Sequence, residues 1–312
     1  MKALKWTAGA LLLLMACTGN KAASAQDGDA GDSAAAVPES DTLVFEQVKY
    51  RDSVEYKVKI VDYSSDEDPA PYEIATVMDR FEGISLKAVA GKPEVVEFIN
   101  QWLTIDADPL ENVEAPVTAE KVAEVYAKLK EKGVTDVRSA LIARCAGNIN
   151  AVVASDDPNV MEEMSFESAN EYESSIEVYW QTKNLLTLWD SGYDYNAGAA
   201  HGIPWGFGRT FDLKNLRILT LDDIVTKAGR PAVLKMIIAS LQDEYGEEGM
   251  LNAPEDIDFP YCDPSLMAKG VAFDYGPYEI GPYALGMPQA LIPYDKIKPY
   301  LTPDVKELLG MK

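Results

Sequence analysis

Regularly spaced apolar residues divide the first half of the chain into strands and helices. Residues 43–62 predict two strands joined by a turn at residues 51–53, because apolar side chains occupy every second position from Val54 to Ile60. Farther along, apolar residues three and four positions apart indicate amphipathic helices. Three helices are predicted, over residues 93–103, 119–131 and 137–146.

The second half contains more alternating than helical patterns. Strands are predicted at residues 176–181, 185–189, 205–213, 271–275 and 289–293. Helices are predicted at residues 221–227, 231–241 and 302–310. Together the patterns indicate an α+β fold of mainly antiparallel sheets packed with helices. We expect an N-terminal α/β module over residues 42–180 and a C-terminal domain over residues 181–312.

The first residues have the pattern of an export signal. Two lysines precede an apolar run of about eight residues, which is too short to cross a membrane that needs about twenty. The run ends in Leu-Met-Ala-Cys at residues 14–17, the order of aliphatic, variable, small and cysteine residues in a bacterial lipobox. We therefore expect residues 1–16 to be a signal peptide and Cys17 to carry the lipid. An ordinary secretion signal with a chance cysteine is the alternative.

The residues after the cysteine predict a tether and a location. Residues 17–41 are rich in Ala, Gly, Ser and Asp and contain no aromatic residue, which is typical of a flexible linker. Thr18 follows the cysteine, and no run of acids comes next. We expect a lipid anchor in the cell envelope, at the periplasmic face of the outer membrane.

The net charge of the chain limits the classes of partner that we expect it to bind. The chain has 28 basic and 51 acidic residues, a net charge of −23. Removal of residues 1–16 takes away two lysines and leaves 26 basic against 51 acidic residues, a charge of −25. Such a surface repels phosphate backbones, so nucleic acid is not an expected partner, whereas a basic protein would be attracted.

Two segments of the second half carry a family pattern. The first reads Tyr-Asp-Tyr-Asn-Ala-Gly-Ala-Ala-His-Gly at residues 193–202 and leads to Leu-Thr-Leu-Asp-Asp-Ile at residues 219–224. The second contains Tyr-Glu-Ile-Gly-Pro-Tyr-Ala at residues 278–284. In this order they resemble the RsiV-like C-terminal domain, an extracytoplasmic module of anti-sigma factor RsiV that also occurs beside PdaC-type peptidoglycan deacetylases and in many lipoproteins. The resemblance covers about residues 193–301, with Ala199 in place of the family's second glycine.

The two segments supply the candidate residues for ligand binding or loop anchoring. They are Tyr195, Gly198, His201, Gly202, Tyr278, Glu279 and Tyr283. The glycines beside His201 are expected to permit positive φ and close backbone approach, and the histidine is expected to anchor the loop by hydrogen bonds or to contact a ligand. The tyrosines offer either core packing or a recognition surface, and Glu279 is expected to accept hydrogen bonds in a buried position.

The sequence contains no recognisable catalytic or metal-binding pattern. It has one histidine and lacks a Gly-x-Ser-x-Gly elbow, a His-Glu-x-x-His motif and a Cys-x-x-Cys pair, so we expect no catalytic residue, metal or cofactor. A glycosidase carboxylate pair stays open, because acids are abundant. Cys145 and Cys262 are expected either to form a disulfide in an oxidising compartment or to be two free thiols.

Three functional hypotheses follow. The first is a lipid-anchored, non-catalytic binding module for an envelope ligand, a lysozyme-like protein or a glycan. The resemblance to RsiV implies it, and the negative charge would speed encounter with a basic protein. The second is a structural periplasmic lipoprotein without a small ligand. The third is a peptidoglycan or glycan hydrolase.

Overall fold

A computed structural model describes the chain between residues 42 and 311, with gaps. The described residues are 42–62, 73–107, 113–147, 152–155, 169–196, 199–246 and 249–311, and the side chains of residues 56–62, 73–77, 144–147 and 152–155 are not described. The predicted signal peptide, Cys17 and the tether lie outside these ranges. Within them, no helix is both long enough and apolar enough to span a membrane.

The described residues form ten strands and seven helices. The strands are β1 (Val44–Asp62), β2 (Glu73–Ala90), β3 (Val152–Ser155), β4 (Ala169–Gln181), β5 (Leu185–Tyr195), β6 (Ile203–Asp212), β7 (Arg217–Ile218), β8 (Ser265–Leu266), β9 (Gly270–Asp274) and β10 (Gln289–Pro293). The helices are α1 (Pro93–Asp106), α2 (Ala119–Glu131), α3 (Val137–Gly147), α4 (Leu221–Ile224), α5 (Arg230–Tyr245), α6 (Tyr294–Ile297) and α7 (Pro303–Leu308).

The strands make two sheets. The larger sheet has the order β3-β1-β2-β4-β5-β6-β7, and the smaller has the order β10-β9-β8. All neighbours are antiparallel except β1 with β3 and β2 with β4. The expected α+β fold with mainly antiparallel sheets is confirmed. The described residues belong to one compact unit, and β4 and β5, from the two expected parts of the chain, are neighbours in one sheet.

The turn expected at residues 51–53 is wrong, because β1 continues through it. Arg51 lies opposite Glu82 of β2, and Ser53 lies opposite Arg80. The Arg51 guanidinium is 3.1 Å from the Glu82 carboxylate. The polar residues therefore extend a strand with solvent-exposed side chains, a situation in which a polar stretch does not require a turn.

The three helices predicted in the first half are present, and α2 has the predicted bounds. The Thr118 side chain accepts a hydrogen bond from the amide of Lys121 at the start of α2, as an N-cap should. The helix expected at residues 221–227 is shorter. It ends at Ile224, because Val225 is extended and forms a bridge with Leu301.

The first residues of β5 and the last residues of β6 are buried on both faces. Leu186, Leu188 and Phe211 pack into one apolar core together with residues of α1 and α2. Leu185 points the other way, into a second core made with α5 and the smaller sheet. On the same side, the Thr187 hydroxyl donates to the Leu266 carbonyl oxygen at 2.6 Å. The C-terminal elements are thus held against one face of the larger sheet.

Candidate functional site

The two segments singled out in the sequence meet in the structure. His201 lies in the loop between β5 and β6, while Tyr278 and Tyr283 lie in the connection between β9 and β10. The His201 and Tyr283 ring centroids are 4.3 Å apart, and those of Tyr278 and Tyr283 are 5.6 Å apart. The Tyr278 hydroxyl lies 3.3 Å from His201 Nε2. We call these three residues the aromatic cluster.

Gly202 forms the buried base of the aromatic cluster. Its amide donates to the Tyr193 hydroxyl at 3.1 Å, and its carbonyl oxygen accepts from the Tyr283 hydroxyl at 2.9 Å. A Cβ atom at position 202 would lie 2.3 Å from the Tyr193 ring. Gly202 does not have a positive φ, so the requirement for glycine here is close approach of the backbone to the ring.

His201 contacts its own loop and the two tyrosines of the β9–β10 connection. Its Nδ1 atom lies 3.1 Å from the Gly202 carbonyl oxygen, and its Nε2 atom faces the Tyr278 hydroxyl. Among the described residues, no serine, cysteine or carboxylate side chain is bonded to the imidazole. The ring is exposed. These contacts fit an anchor of the loop that also presents a surface to solvent, and they supply no nucleophile for a histidine base to activate.

Tyr278 occupies a strained backbone position at the surface. Gly276 to Glu279 form a turn in which the Glu279 amide donates to the Gly276 carbonyl oxygen at 3.3 Å. Pro277 is the second residue of the turn, and Tyr278, the third, has a φ of 67°. Glycine or asparagine is usual at that position, and an ordinary side chain there costs about 1–2 kcal/mol. Tyr278 is nevertheless 55% exposed, so burial of its ring does not explain the strain.

Glu279 holds this turn in place. One carboxylate oxygen accepts from the Gly276 amide at 2.8 Å, and the other accepts from the Tyr261 amide at 2.7 Å. The residue is half-buried, and both oxygens are used in main-chain hydrogen bonds. This geometry fits the expected hydrogen-bonding role.

Tyr195 and Cys262 are not members of the aromatic cluster. Tyr195 ends β5 opposite Glu171 of β4 and makes no hydrogen bond or ring contact with the cluster. Gly198 lies outside the described residues. Cys262, the member of the cysteine pair whose side chain is described, is a free thiol and is not in a disulfide. Burial, reinforced by the Glu279 charge, raises the pKa of this thiol to about 11, which makes it a weak nucleophile at neutral pH.

A buried acidic pair, missed by the sequence analysis, joins α1 to the sheet. Asp190 of β5 is hydrogen-bonded to Asp106 at the end of α1, and Asp106 is 3.2 Å from the Arg209 guanidinium. That guanidinium also lies 4.7 Å from the centre of the Trp102 ring. Burial of Asp190, reinforced by the charge of Asp106, raises its pKa to about 8. In the sequence this pair is marked only by one acid, Asp190, which follows the apolar residues of β5.

The described part of the chain does not bring metal ligands together. No group of three or more histidine, cysteine, aspartate or glutamate side chains there is arranged to hold a metal ion. The Asp106–Asp190 pair has an arginine as its third charged member, and that arginine packs against the aromatic residues of β6 and α1.

The arrangement defines an α+β protein whose C-terminal elements present an aromatic surface. A family model described as "protein of unknown function (DUF3298)" matches residues 222–295, so the chain contains a DUF3298 domain. This stretch includes Tyr278 and Tyr283 but neither His201 nor Gly202. A comparison with curated proteins gives no match.

Solved structures of DUF3298 family proteins are similar to this chain. A crystal structure of a DUF3298 family member from Bacteroides fragilis NCTC 9343 is 21% identical, covers 84% of this chain and 98% of its own, and has a TM-score of 0.51. A DUF3298 family protein from Pseudomonas aeruginosa PAO1 is 17% identical, covers 85% of this chain and 96% of its own, and has a TM-score of 0.47. The first similarity shows a shared fold.

Proposed function

We propose that this protein is a non-catalytic binding module of the RsiV-like type, held in the cell envelope by lipid on Cys17, and that the aromatic cluster contacts its ligand. The main observation in support of this proposal is the conformation and exposure of Tyr278. A tyrosine held at positive φ, where glycine would be less strained, and left 55% exposed is poorly explained by stability alone. Exposed aromatic rings on a firmly held backbone are common at recognition surfaces.

The surroundings of the cluster favour binding over catalysis. The hydroxyl of Tyr283 and the carboxylate of Glu279 are both used in main-chain hydrogen bonds. These bonds make the surface rigid, which reduces the entropy lost on binding. His201 contacts a tyrosine hydroxyl and a carbonyl oxygen, so the cluster lacks the nucleophile and oriented base of a hydrolase.

The net charge favours a basic protein as the ligand. A charge of −23 accelerates encounter with a positively charged partner, and the effect weakens as salt is added. Lysozymes are generally basic proteins of the envelope environment. A lysozyme-like protein is therefore the proposed ligand, and an envelope glycan is the alternative outcome of the test.

The test is a titration of the purified chain with a basic lysozyme at low and at moderate salt. We expect saturable binding that weakens with salt. Tyr278→Gly should relieve the backbone strain and still weaken binding about tenfold or more. Tyr179→Ala removes a tyrosine of similar exposure, 52%, from β4 and is the matched control, which should bind like the unmodified chain.

The following results would contradict parts of the proposal. Absence of saturable binding at both salt concentrations rejects lysozyme as the ligand, and equal affinity of Tyr278→Gly and the unmodified chain rejects the aromatic cluster. Incubation with peptidoglycan sacculi tests the non-catalytic part. Fragments released by the chain but not by His201→Ala would show a hydrolase. Mass spectrometry of the mature product tests the anchor, because an unmodified Cys17 or retention of residues 1–16 refutes it.

A further inference from the structure

An open groove of about 580 Å³ lies on the larger sheet beside the aromatic cluster. Its first wall is a row of residues paired across β2, β4 and β5, namely Glu82, Glu173 and Tyr193. Its second wall is the row two positions along, namely Lys49, Ile84, Ser175 and Ser191, with Met287 at the end. Side chains two positions apart on a strand point to the same face, so both rows line the groove.

The floor of the groove is the row of residues between these two walls. Its side chains alternate to the opposite face of the sheet, where Tyr50 packs against Leu141 of α3. Gly83 and Gly192 belong to this row and have no side chains at all. In the second wall, Ser175 and Ser191 are too small to fill the space between the walls. The groove is therefore open above Ser175 and Ser191, where the side chains of β4 and β5 are small.

The groove and the aromatic cluster are physically continuous. Tyr193 forms part of the first wall, and its hydroxyl accepts the hydrogen bond from the Gly202 amide beneath the cluster. Met287, 39% exposed, follows the segment that carries Tyr283 and closes the second wall. A ligand bound at the aromatic cluster can therefore extend into the groove while it stays in contact with the protein.

The first wall has unbalanced negative charge. Glu82 and Glu173 lie side by side on β2 and β4, and both are exposed. Like charges at this spacing repel. Arg51 forms an ion pair with Glu82 at 3.1 Å, whereas no described residue forms an ion pair with Glu173. Lys49, the only basic residue among the described residues that line the groove, is in the opposite wall and has no described ion-pair partner either.

We propose that this groove receives a basic segment of the partner protein, with a lysine or arginine side chain placed between Glu82 and Glu173 while neighbouring residues contact the aromatic cluster. The inference rests on the proposed function and adds the chemistry of the partner's contact surface. The charge of the wall and the apolar side chains of Ile84, Tyr193 and Met287 together fit the charged head and aliphatic stem of a long basic residue.

The experiment compares two charge reversals of equal size. Glu173→Lys changes the groove, and Glu131→Lys places the same charge on the exposed end of α2, away from the groove. Each variant of the full chain is titrated with a basic lysozyme at several salt concentrations. Glu173→Lys should weaken binding about tenfold or more and flatten the salt dependence, whereas Glu131→Lys should change affinity by about twofold at most. Glu173→Gln should give an intermediate affinity.

The outcomes separate this proposal from the function on which it rests. Suppose that the unmodified chain binds and Tyr278→Gly does not. If Glu173→Lys and Glu131→Lys then bind equally well, the groove is excluded as part of the binding site, and the aromatic cluster is retained. If the unmodified chain does not bind lysozyme, both proposals fail for this ligand. Urea unfolding of each variant shows whether it is folded, and relief of the Glu82–Glu173 repulsion leads us to expect no loss of stability in Glu173→Gln.

Discussion

Replacement of Asp190 by asparagine tests the buried acidic pair through the pH dependence of stability. Asp190 is buried, is hydrogen-bonded to Asp106 and has a pKa of about 8 in the folded chain, because burial and the neighbouring carboxylate disfavour its charged form. In the unfolded chain its pKa returns to about 3.9. The protonated form of Asp190 therefore contributes fully to stability below about pH 4. That contribution is lost as the pH rises towards about 8.

The magnitude follows from the difference between the two pKa values. At pH 7 the unfolded chain is ionised at Asp190 while the folded chain largely keeps the proton, which costs up to about 4 kcal/mol of folding free energy. The Asp190 carboxyl group is hydrogen-bonded to Asp106, so a replacement at position 190 must still satisfy the Asp106 carboxylate. The asparagine amide of the variant would keep a donor for Asp106 and would not titrate. We expect Asp190→Asn to be more stable than the unmodified chain by about 2–4 kcal/mol at pH 7 and nearly equal to it at pH 4.

The assay is urea unfolding followed by tryptophan fluorescence, at steps between pH 4 and pH 8. Asp243→Asn, which removes an exposed acid of α5, is the control and should differ from the unmodified chain by a constant small amount. The informative quantity is the difference in free energy of unfolding between Asp190→Asn and the unmodified chain. A difference that stays constant over this pH range, or that falls as the pH rises, would refute the assignment of a raised pKa to Asp190.

The remaining predictions concern the base of the aromatic cluster and a buried ion pair. Gly202→Ala places a methyl group 2.3 Å from the Tyr193 ring and should lower the free energy of unfolding by about 1–3 kcal/mol, measured by urea unfolding; unchanged stability would mean that the loop can shift freely. Arg217→Met removes the cation 3.5 Å from the fully buried Asp212 carboxylate and should cost about 3 kcal/mol at neutral pH. Lys214→Met, whose ion pair is exposed, is its control and should keep the unfolding midpoint of the unmodified chain.

The sequence predicted elements well where periodicity is local. The bounds of α2 and β10 agree with the predicted residues, because each is a short run with one clear apolar pattern and recognisable end residues. The turn expected at residues 51–53 is wrong because these residues have no single clear local pattern. Three polar residues are compatible both with a turn and with an exposed part of a long strand, and only pairing with β2 decides between them.

The candidate site was predicted in part. The two patterned segments pointed to His201, Tyr278 and Tyr283, and the structure brings these residues together. The groove and the acidic pair could not be found in this way. The groove depends on the parallel register of β2 with β4, which places Glu82 beside Glu173, and Asp106 meets Asp190 across 84 positions of the sequence. Neither pairing produces a pattern among neighbouring residues that could be recognised in the sequence.

The aromatic surface depends on more of the chain than the stretch that matches the family model. Residues 222–295 supply the strained turn and two tyrosines, but the imidazole and the glycine beneath it come from the β5–β6 loop. Tyr193 of β5 then joins that loop to the groove on β2 and β4. Main-chain hydrogen bonds of Gly202 join this loop to Tyr193 and Tyr283, and ring contacts among His201, Tyr278 and Tyr283 complete the cluster. The proposed recognition surface therefore draws on both the larger sheet and the stretch that matches the family model.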